Sequence, residues 1–376
     1  MSLSQGLALV VLAIVVAALV GWWRRAGPHA RPSRRPGAGR PASTPSFVDT
    51  HPGASPADLS GGAANRAARR IGPYRVERDL GQGAMGRVLL CHDERSGRRA
   101  ALKTLALSQE FHGEALEEAR QRFFREAEMA GQLQHPDIVT VHEAGEDAGV
   151  AFIAMELLSG HDLDQHASPS HLLPVPEVLE IVARVAQALA YAHRQGVTHR
   201  DIKPANIMID PLAGTVKVTD FGIARIIDST QTRTGLVLGT PSFMSPEQMA
   251  GTRLDGRSDL YSLGVTLFQL LSGELPHRGG SMSSLIHAIA HEPAPDIRSL
   301  RPDLPQALAD VVALALGKHP DRRYATGDLM AGDLRAVAAM MASAPENHPE
   351  EAAAPSPPAG GAAQPALAES QSAIRH

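Results

Sequence analysis

The chain has 376 residues and a formal net charge of −4. That length holds one large domain or two ordinary ones, and the charge carries no signature of a nucleic-acid binder. A single cysteine, Cys91, excludes an internal disulfide framework and any cysteine-rich metal site. It closes the apolar run Val88-Leu89-Leu90-Cys91 and reads as a small buried hydrophobe.

Residues 2–23 carry no charge, and Gly6 to Trp23 is almost purely apolar. Eighteen helical residues span about 27 Å, close to the hydrocarbon thickness of a bilayer. Trp22 and Trp23 suit the membrane interface, and Arg24 and Arg25 follow at once. The pattern predicts a transmembrane helix over residues 1–23, with the chain beyond Arg24 in the cytoplasm. The competing readings are a cleaved signal peptide and an upstream-extended start. A signal peptide carries its positive charge before the apolar run, whereas here it comes after. Residues 24–72 are rich in Pro, Gly, Ala, Ser and Arg, with nine Arg against two acids between Arg24 and Arg70. They read as a disordered juxtamembrane linker. Six of those Arg lie between Arg24 and Arg40, where attraction to anionic lipid is worth about 1 kcal/mol per charge. The plainer reading is a topology signal followed by a solvated spacer.

From Tyr74 the pattern changes. Tyr74–Leu80 reads as a strand, followed by Gly81-Gln82-Gly83-Ala84-Met85-Gly86-Arg87-Val88. Glycines at these spacings let a backbone close over phosphates with its N–H groups inward. A strand, Arg87–His92, comes next, where a dinucleotide-binding unit has a helix. Asp93–Gly97 is a turn, and Arg99–Leu105 is a strand holding Lys103 in an apolar setting, which calls for a partner. Leu116–Leu133 has helical periodicity, with Phe123, Phe124, Ala127 and Ala130 on one side. It offers Glu126 as that partner, with Glu128 on a different face as the runner-up. A strand beginning at His135–Val139 and a hairpin through Gly145–Gly149 lead to Val150–Met155. Pro176–Gln195 is a long amphipathic helix with Pro176 in its first turn and Gly196 at its end. Ser258–Leu271 and residues 281–291, 305–317 and 326–342 complete a helical set. Residues 343–376 are Ala/Pro-rich without a core pattern and read as a disordered tail.

Between the helices lies His199-Arg200-Asp201-Ile202-Lys203-Pro204-Ala205-Asn206, and fourteen residues after Asn206 comes Asp220-Phe221-Gly222. An Asp, a Lys and an Asn within six residues, then an Asp before Phe-Gly, can place a base and two metal ligands around one phosphate. Further on come Ser245-Pro246-Glu247 and His319-Pro320-Asp321-Arg322-Arg323. In this order, the motifs resemble those of the bacterial eukaryotic-type (Hanks-type) serine/threonine protein kinases over residues 74–342. The resemblance implies an α+β, two-lobed protein kinase fold. The N-lobe is an antiparallel sheet plus one helix, the C-lobe is mainly helical, and ATP sits between them.

The resemblance also assigns roles. Asp201 takes the proton of the substrate hydroxyl, and Lys203 neutralises charge on the transferring phosphoryl group. Lys103 pairs with the ATP phosphates and with Glu126. Asn206 and Asp220 are oxygen ligands suited to Mg²⁺ or Mn²⁺. Leu80, Gly81, Gln82, Gly83, Ala84, Met85, Gly86, Arg87 and Val88 cover the nucleotide, with Ala101 and Met155 around the adenine and backbone groups of Glu156 and Leu158 pairing with the base. His199 packs beneath Phe221 and Gly222. Arg200 receives a phosphothreonine of the activation loop, and Thr232 and Thr234 are the expected autophosphorylation pair. Thr240 shapes the substrate pocket. Glu247 pairs with Arg323, and Asp259 holds the catalytic loop. Ser245 stands where the family has Ala, a mild departure. The expected enzyme sits in a bacterial cell membrane by one span with its kinase domain in the cytoplasm. It acts on Ser and Thr of proteins, and a homodimer would serve autophosphorylation in trans. The rival readings are a pseudokinase scaffold, a small-molecule phosphotransferase of kinase-like fold, and a membrane-tethered adaptor working through its Pro-rich ends. The first usually lacks Lys103, Asp201 or Asp220; the second lacks the long activation segment; the third adds to kinase activity without excluding it.

Overall fold

Ten residues of strand running into the glycines, Tyr74–Gly83 (β2), pair antiparallel with Gly86–Asp93 (β3). In this computed structural model the described residues are 69–83, 86–107, 111–221 and 241–343. The first strand, Arg70–Ile71 (β1), flanks β2; Arg99–Leu105 (β4), Val141–Asp147 (β5) and Val150–Glu156 (β6) complete a sheet ordered β1-β2-β3-β4-β6-β5, antiparallel throughout. Period-2 alternation sorts β4 between two faces. Ala101 and Leu105 join a cluster with Phe123 and Ala127 of the helix Glu114–Gly131 (α1). Ala100 and Leu102 join Tyr74, Leu89, Cys91 and Phe152 on the other side. Lys103 falls on the α1 face by the same alternation. Cys91 is fully buried, and burial pushes its thiol up to about 11, with Glu77 adding to the rise.

The helix α1 starts and ends within two residues of the sequence expectation. Its inward stripe is Ala119, Phe123, Glu126, Ala127 and Ala130, the spacing of one helical face. Phe124 was expected on that side and is instead 37% exposed. It lies one residue, hence about 100°, round from Phe123. Glu128 is also exposed, while Glu126 is buried.

After the connecting segment 157–160, a second sheet forms from His161–Asp162 (β7), Ile207–Asp210 (β8) and Thr215–Val218 (β9), in that order. The remaining helices are Val175–Arg194 (α2), Pro246–Met249 (α3), Gly256–Ser272 (α4), Met282–His291 (α5), Gln306–Ala315 (α6) and Gly327–Ser343 (α7). The apolar stripe Val178, Ile181, Val182, Val185 and Leu189 of α2 is buried against a core shared with α4, α6 and α7. This gives the two-lobed α+β kinase fold: sheet plus one helix, then a mainly helical lobe.

The predicted span 1–23, linker 24–72 up to Ala68, and tail from residue 344 lie outside the described residues. Among those described, no helix is long and apolar enough to cross a membrane.

Candidate active site

Asp201 is held from several directions. Its carboxylate oxygen Oδ2 accepts hydrogen bonds from Lys203 Nζ at 2.8 Å and from Asn206 Nδ2 at 3.0 Å. The same Asn206 nitrogen reaches the Asp201 carbonyl at 2.7 Å. Because Nδ2 is committed inward, the other end of that amide, Oδ1, remains as an oxygen donor.

The loop carrying Asp201 hangs from Asp259, the acid in the first turn of α4, which is fully buried. Its oxygens accept from the His199 amide at 2.8 Å, the Arg200 amide at 2.7 Å and His193 Nε2 at 2.7 Å. Arg200 has φ +71° and Asp220 φ +67°. Neither is a glycine, so each stores strain that its surroundings must hold in place. His199 is completely buried. Its Nε2 donates to the Thr219 carbonyl at 2.7 Å and its Nδ1 accepts from the Asp201 amide at 3.2 Å. Those two partners define the neutral Nε2–H tautomer. The ring meets Phe221 edge-on at 4.6 Å between centroids. The Thr219 amide in turn donates to the Asn206 carbonyl at 2.9 Å, so one chain of contacts ties the Asp201 loop to the Asp220 turn.

Across the cleft, Lys103 Nζ lies 2.7 Å from Asp220 Oδ1. The sequence reading paired Lys103 with Glu126; in the structure its close carboxylate is Asp220. Register places Lys103 opposite Val88 on one side and Ile153 on the other. Val88, Ala101, Met155 and Leu158 all belong to the apolar cluster that backs it. Leu80, Gly81 and Gln82 are exposed, and Arg87 pairs with Asp79 at 2.6 Å. Gly86 has φ +131°, and a Cβ there would lie 1.9 Å from the Thr104 carbonyl oxygen. Glycine is therefore required at the third glycine for the β2–β3 hairpin to lie against β4. Ala84, Met85, Gly222, Thr232, Thr234 and Thr240 lie outside the described residues, as does the side-chain environment of Gly83.

The segment leading into α4 is pinned as well. Glu247 receives Arg323 Nη1 at 2.6 Å and Nη2 at 2.8 Å, and Ser258 Oγ at 2.7 Å. Burial pushes the Glu247 carboxyl up, but the Arg323 and Ser258 hydrogen bonds outweigh it and hold the group below the usual carboxylate range. The Arg323 guanidinium also lies over the Tyr261 ring, 4.8 Å from its centroid.

Four contributors were missed by sequence reasoning. His193 at the end of α2 supports Asp259. Gln248 donates from Nε2 to the Arg200 carbonyl at 2.8 Å while its Oε1 accepts from the Ser245 amide. Ser258 supports Glu247. Lys217 of β9 pairs with Glu156 at 2.7 Å and donates to the Ile138 carbonyl at 3.1 Å, tying the end of β6 to the second sheet. Burial raises the Glu156 carboxyl, and hydrogen bonds from Lys217 and the Thr140 amide lower it further than that. Only Gln248 carried a local signal, since Ser245-x-x-Gln248 is a capping box, and it is formed at the start of α3.

A sheet-plus-helix lobe over a helical lobe, with an Asp, Lys and Asn group facing a Lys–Asp pair, defines a protein kinase. The family model for the protein kinase domain matches residues 74–333. The chain is 42% identical over 259 residues to the serine/threonine-protein kinase PknJ of Mycobacterium tuberculosis, covering 67% of this chain and 43% of that protein. It is 37% identical over 268 residues to PrkC of Bacillus subtilis, covering 71% of this chain and 41% of that one. Against PknA of M. tuberculosis it is 37% identical over 303 residues, covering 79% and 67%. It thus spans less than half the length of PknJ and PrkC. The crystal structure of the M. tuberculosis PknI kinase domain superposes with a TM-score of 0.59 at 34% identity, covering 73% of this chain and all of that one. The chain belongs to the protein kinase domain family and aligns with the serine/threonine-protein kinases of bacteria.

Proposed function

We propose that this chain is a serine/threonine protein kinase that transfers the γ-phosphoryl group of ATP to Ser or Thr hydroxyls of proteins. The observation that carries this reading is the Asp201 carboxylate, bracketed by Lys203 and Asn206 and joined through Thr219 to the turn that presents Asp220 to Lys103. Asp201 accepts the hydroxyl proton as the new O–P bond forms, and the bond from the γ-phosphorus to the ADP oxygen breaks. Lys203 sits beside that carboxylate, so its ammonium faces the charge of the phosphoryl group in transit. Lys103 leaves its pairing with Asp220 to hold the nucleotide phosphates. The side-chain oxygens of Asn206 and Asp220 suit Mg²⁺ or Mn²⁺ and would hold such an ion, which would neutralise phosphate charge. His199 has both ring nitrogens committed, so it positions the loop and leaves proton transfer to Asp201.

The finer assignments rest on the sequence. Thr232 and Thr234 are the autophosphorylation sites, and Arg200 is their reader. The apolar run 6–23 anchors the enzyme in the bacterial cell membrane with the kinase domain in the cytoplasm, aided by the Arg-rich linker on anionic lipid. Two copies meet to phosphorylate each other. The direct test is transfer of label from γ-labelled ATP to protein Ser or Thr by the full chain, with phosphosites mapped by mass spectrometry. Label on Thr232 and Thr234 in the parent, and none on an Asp201→Asn chain incubated alone, is the expected result. An Asp201→Asn chain labelled as fast as the parent contradicts the assignment. For the membrane arm, the full chain should sediment with uncharged phosphatidylcholine vesicles, and a chain lacking residues 1–23 should not.

A further inference from the structure

The peptide plane between Arg200 and Asp201 is the last rigid unit before the carboxylate assigned to the chemistry. Its N–H, on Asp201, donates to His199 Nδ1 at 3.2 Å. Its carbonyl, on Arg200, accepts from Gln248 Nε2 at 2.8 Å. One peptide earlier, the Arg200 amide donates to Asp259 at 2.7 Å. Between these holds Arg200 has φ +71°, a conformation that a residue other than glycine keeps only under constraint.

Gln248 comes from a distant part of the chain. It is the third residue of α3, 48 positions beyond Arg200. A side-chain amide can sit either way round, and its neighbours decide which. Ser245 turns two hydrogens toward Gln248 Oε1, its backbone N–H at 3.0 Å and its hydroxyl at 3.1 Å. An NH₂ group in that place would face the Ser245 N–H donor to donor. The oxygen therefore points to Ser245 and the NH₂ to the Arg200 carbonyl. Ser245 is completely buried, and its Oγ also accepts from the Gln248 amide at 3.3 Å, which closes the capping box. That box uses only the oxygen and the backbone N–H of Gln248. The NH₂ end contributes nothing to the cap and is committed to the loop that carries Asp201.

We propose that Gln248 is a positioning residue for phosphoryl transfer. Its amide, oriented by Ser245, fixes the plane of the Arg200–Asp201 peptide and with it the direction of the Asp201 carboxylate. The inference rests on Asp201 being the group that takes the substrate proton. The same bond passes to Asp201 any shift of α3, which the Glu247–Arg323 pair seats on the helical lobe.

Gln248→Glu separates positioning from capping. A glutamate keeps the capping box, because its carboxylate still accepts from the Ser245 amide, but at pH 8 it is ionised and has no hydrogen for the Arg200 carbonyl. Parent and variant full-length chains are compared in label transfer from γ-labelled ATP to a protein Ser/Thr substrate with Mg²⁺. Turnover at saturating ATP should fall about tenfold, the scale of one hydrogen bond left unmade, with KM for ATP and the melting temperature unchanged. Gln248→Ala, which lacks both ends of the amide, should lose turnover and stability together. Should Gln248→Ala fail to fold, Gln248→Glu alone decides. Parent turnover in Gln248→Glu confines the residue to capping α3 and overturns the proposal, as does a loss carried by KM for ATP alone. Placed in an Asp201→Asn chain, Gln248→Glu should add no further loss, because the group it positions is already gone. A full second tenfold loss there overturns the proposal. An Asp201→Asn chain as fast as the parent would instead remove the proton-acceptor assignment on which the inference rests.

Discussion

The two sides of the cleft are built differently. On the C-lobe side, Asp201 sits in a loop fixed by Asp259, His199, Asn206 and Gln248, with strained backbone at Arg200 and Asp220 held by that network. On the N-lobe side, Leu80, Gly81 and Gln82 stand exposed, and Lys103 reaches across to Asp220 by one ion pair. The groups assigned to chemistry are thus over-determined, while those assigned to the nucleotide are lightly held. An enzyme that must admit and release a nucleotide in every cycle can pre-set its base but needs a cover that moves.

Substitutions sharpen this contrast. The largest effect should come from Asp201→Asn, which keeps the hydrogen-bonding shape but cannot take a proton. Phosphoryl transfer should fall by about 10²–10⁴-fold in a radiolabel assay, with an unchanged melting temperature. Asp259→Ala should damage both stability and rate, because it orphans the amides of His199 and Arg200 and the ring of His193. Buried donors left unmade cost about 1–3 kcal/mol each, readable by chemical denaturation. On the N-lobe side, Lys103→Met should cut transfer strongly while lowering stability far less than Asp259→Ala does. Equal losses of stability from the two would erase the distinction.

Arg323→Met should cost about 3–5 kcal/mol at neutral pH by leaving the Glu247 carboxylate buried without its cation, with only the Ser258 hydroxyl still donating to it. The parent's dependence on pH has a defined sign. Glu247 is held below its unfolded value of 4.5, so its contribution is present above that pH and is lost as pH falls through the lower folded value. In Arg323→Met the burial remains without the partner, so acidification should relieve part of the loss. Melting temperature measured from pH 3.5 to 7 distinguishes the two profiles.

A smaller effect is expected at His277. Its Nε2 accepts from Lys318 Nζ at 2.9 Å, and the same ammonium reaches the Ile289 carbonyl at 2.7 Å, near the end of α5. Burial, with the Lys318 charge second, lowers His277 from 6.5 to about 4. Between those values the unfolded chain binds the proton and the folded one does not, so stability rises with pH across that window. His277→Gln should flatten that slope in pH-dependent melting. Smallest of all, Arg194→Ala removes an exposed pair with Asp328 and should change stability by at most about 1 kcal/mol.

How much of this was legible in the sequence depended on range. Lys103 stood out as a lysine inside an apolar strand after the glycine-rich hairpin, and helical spacing located α1, α2 and α4 to within about two residues. Phe124 was misplaced because neighbouring helical positions diverge by about 100°, and the sequence alone did not show which of two adjacent phenylalanines the sheet would take. The loop around Asp201 was recognisable because its residues are neighbours in sequence. His193 and Lys217 were not, since their partners Asp259 and Glu156 are 66 and 61 residues away, and a lone His or Lys carries no trace of so distant a contact. The pairing of Lys103 with Asp220 was hidden for the same reason: the reading weighed Glu126 and Glu128 on the helix, and Asp220 lies far along the chain.

The most direct measurement is label transfer from γ-labelled ATP to a protein Ser/Thr substrate, using parent and Asp201→Asn full-length chains at equal concentration with Mg²⁺. Transfer by the parent, reduced at least a hundredfold in Asp201→Asn with its fold intact, is what the account predicts. Equal rates in the two would show that the bracketed carboxylate is not the group that takes the proton.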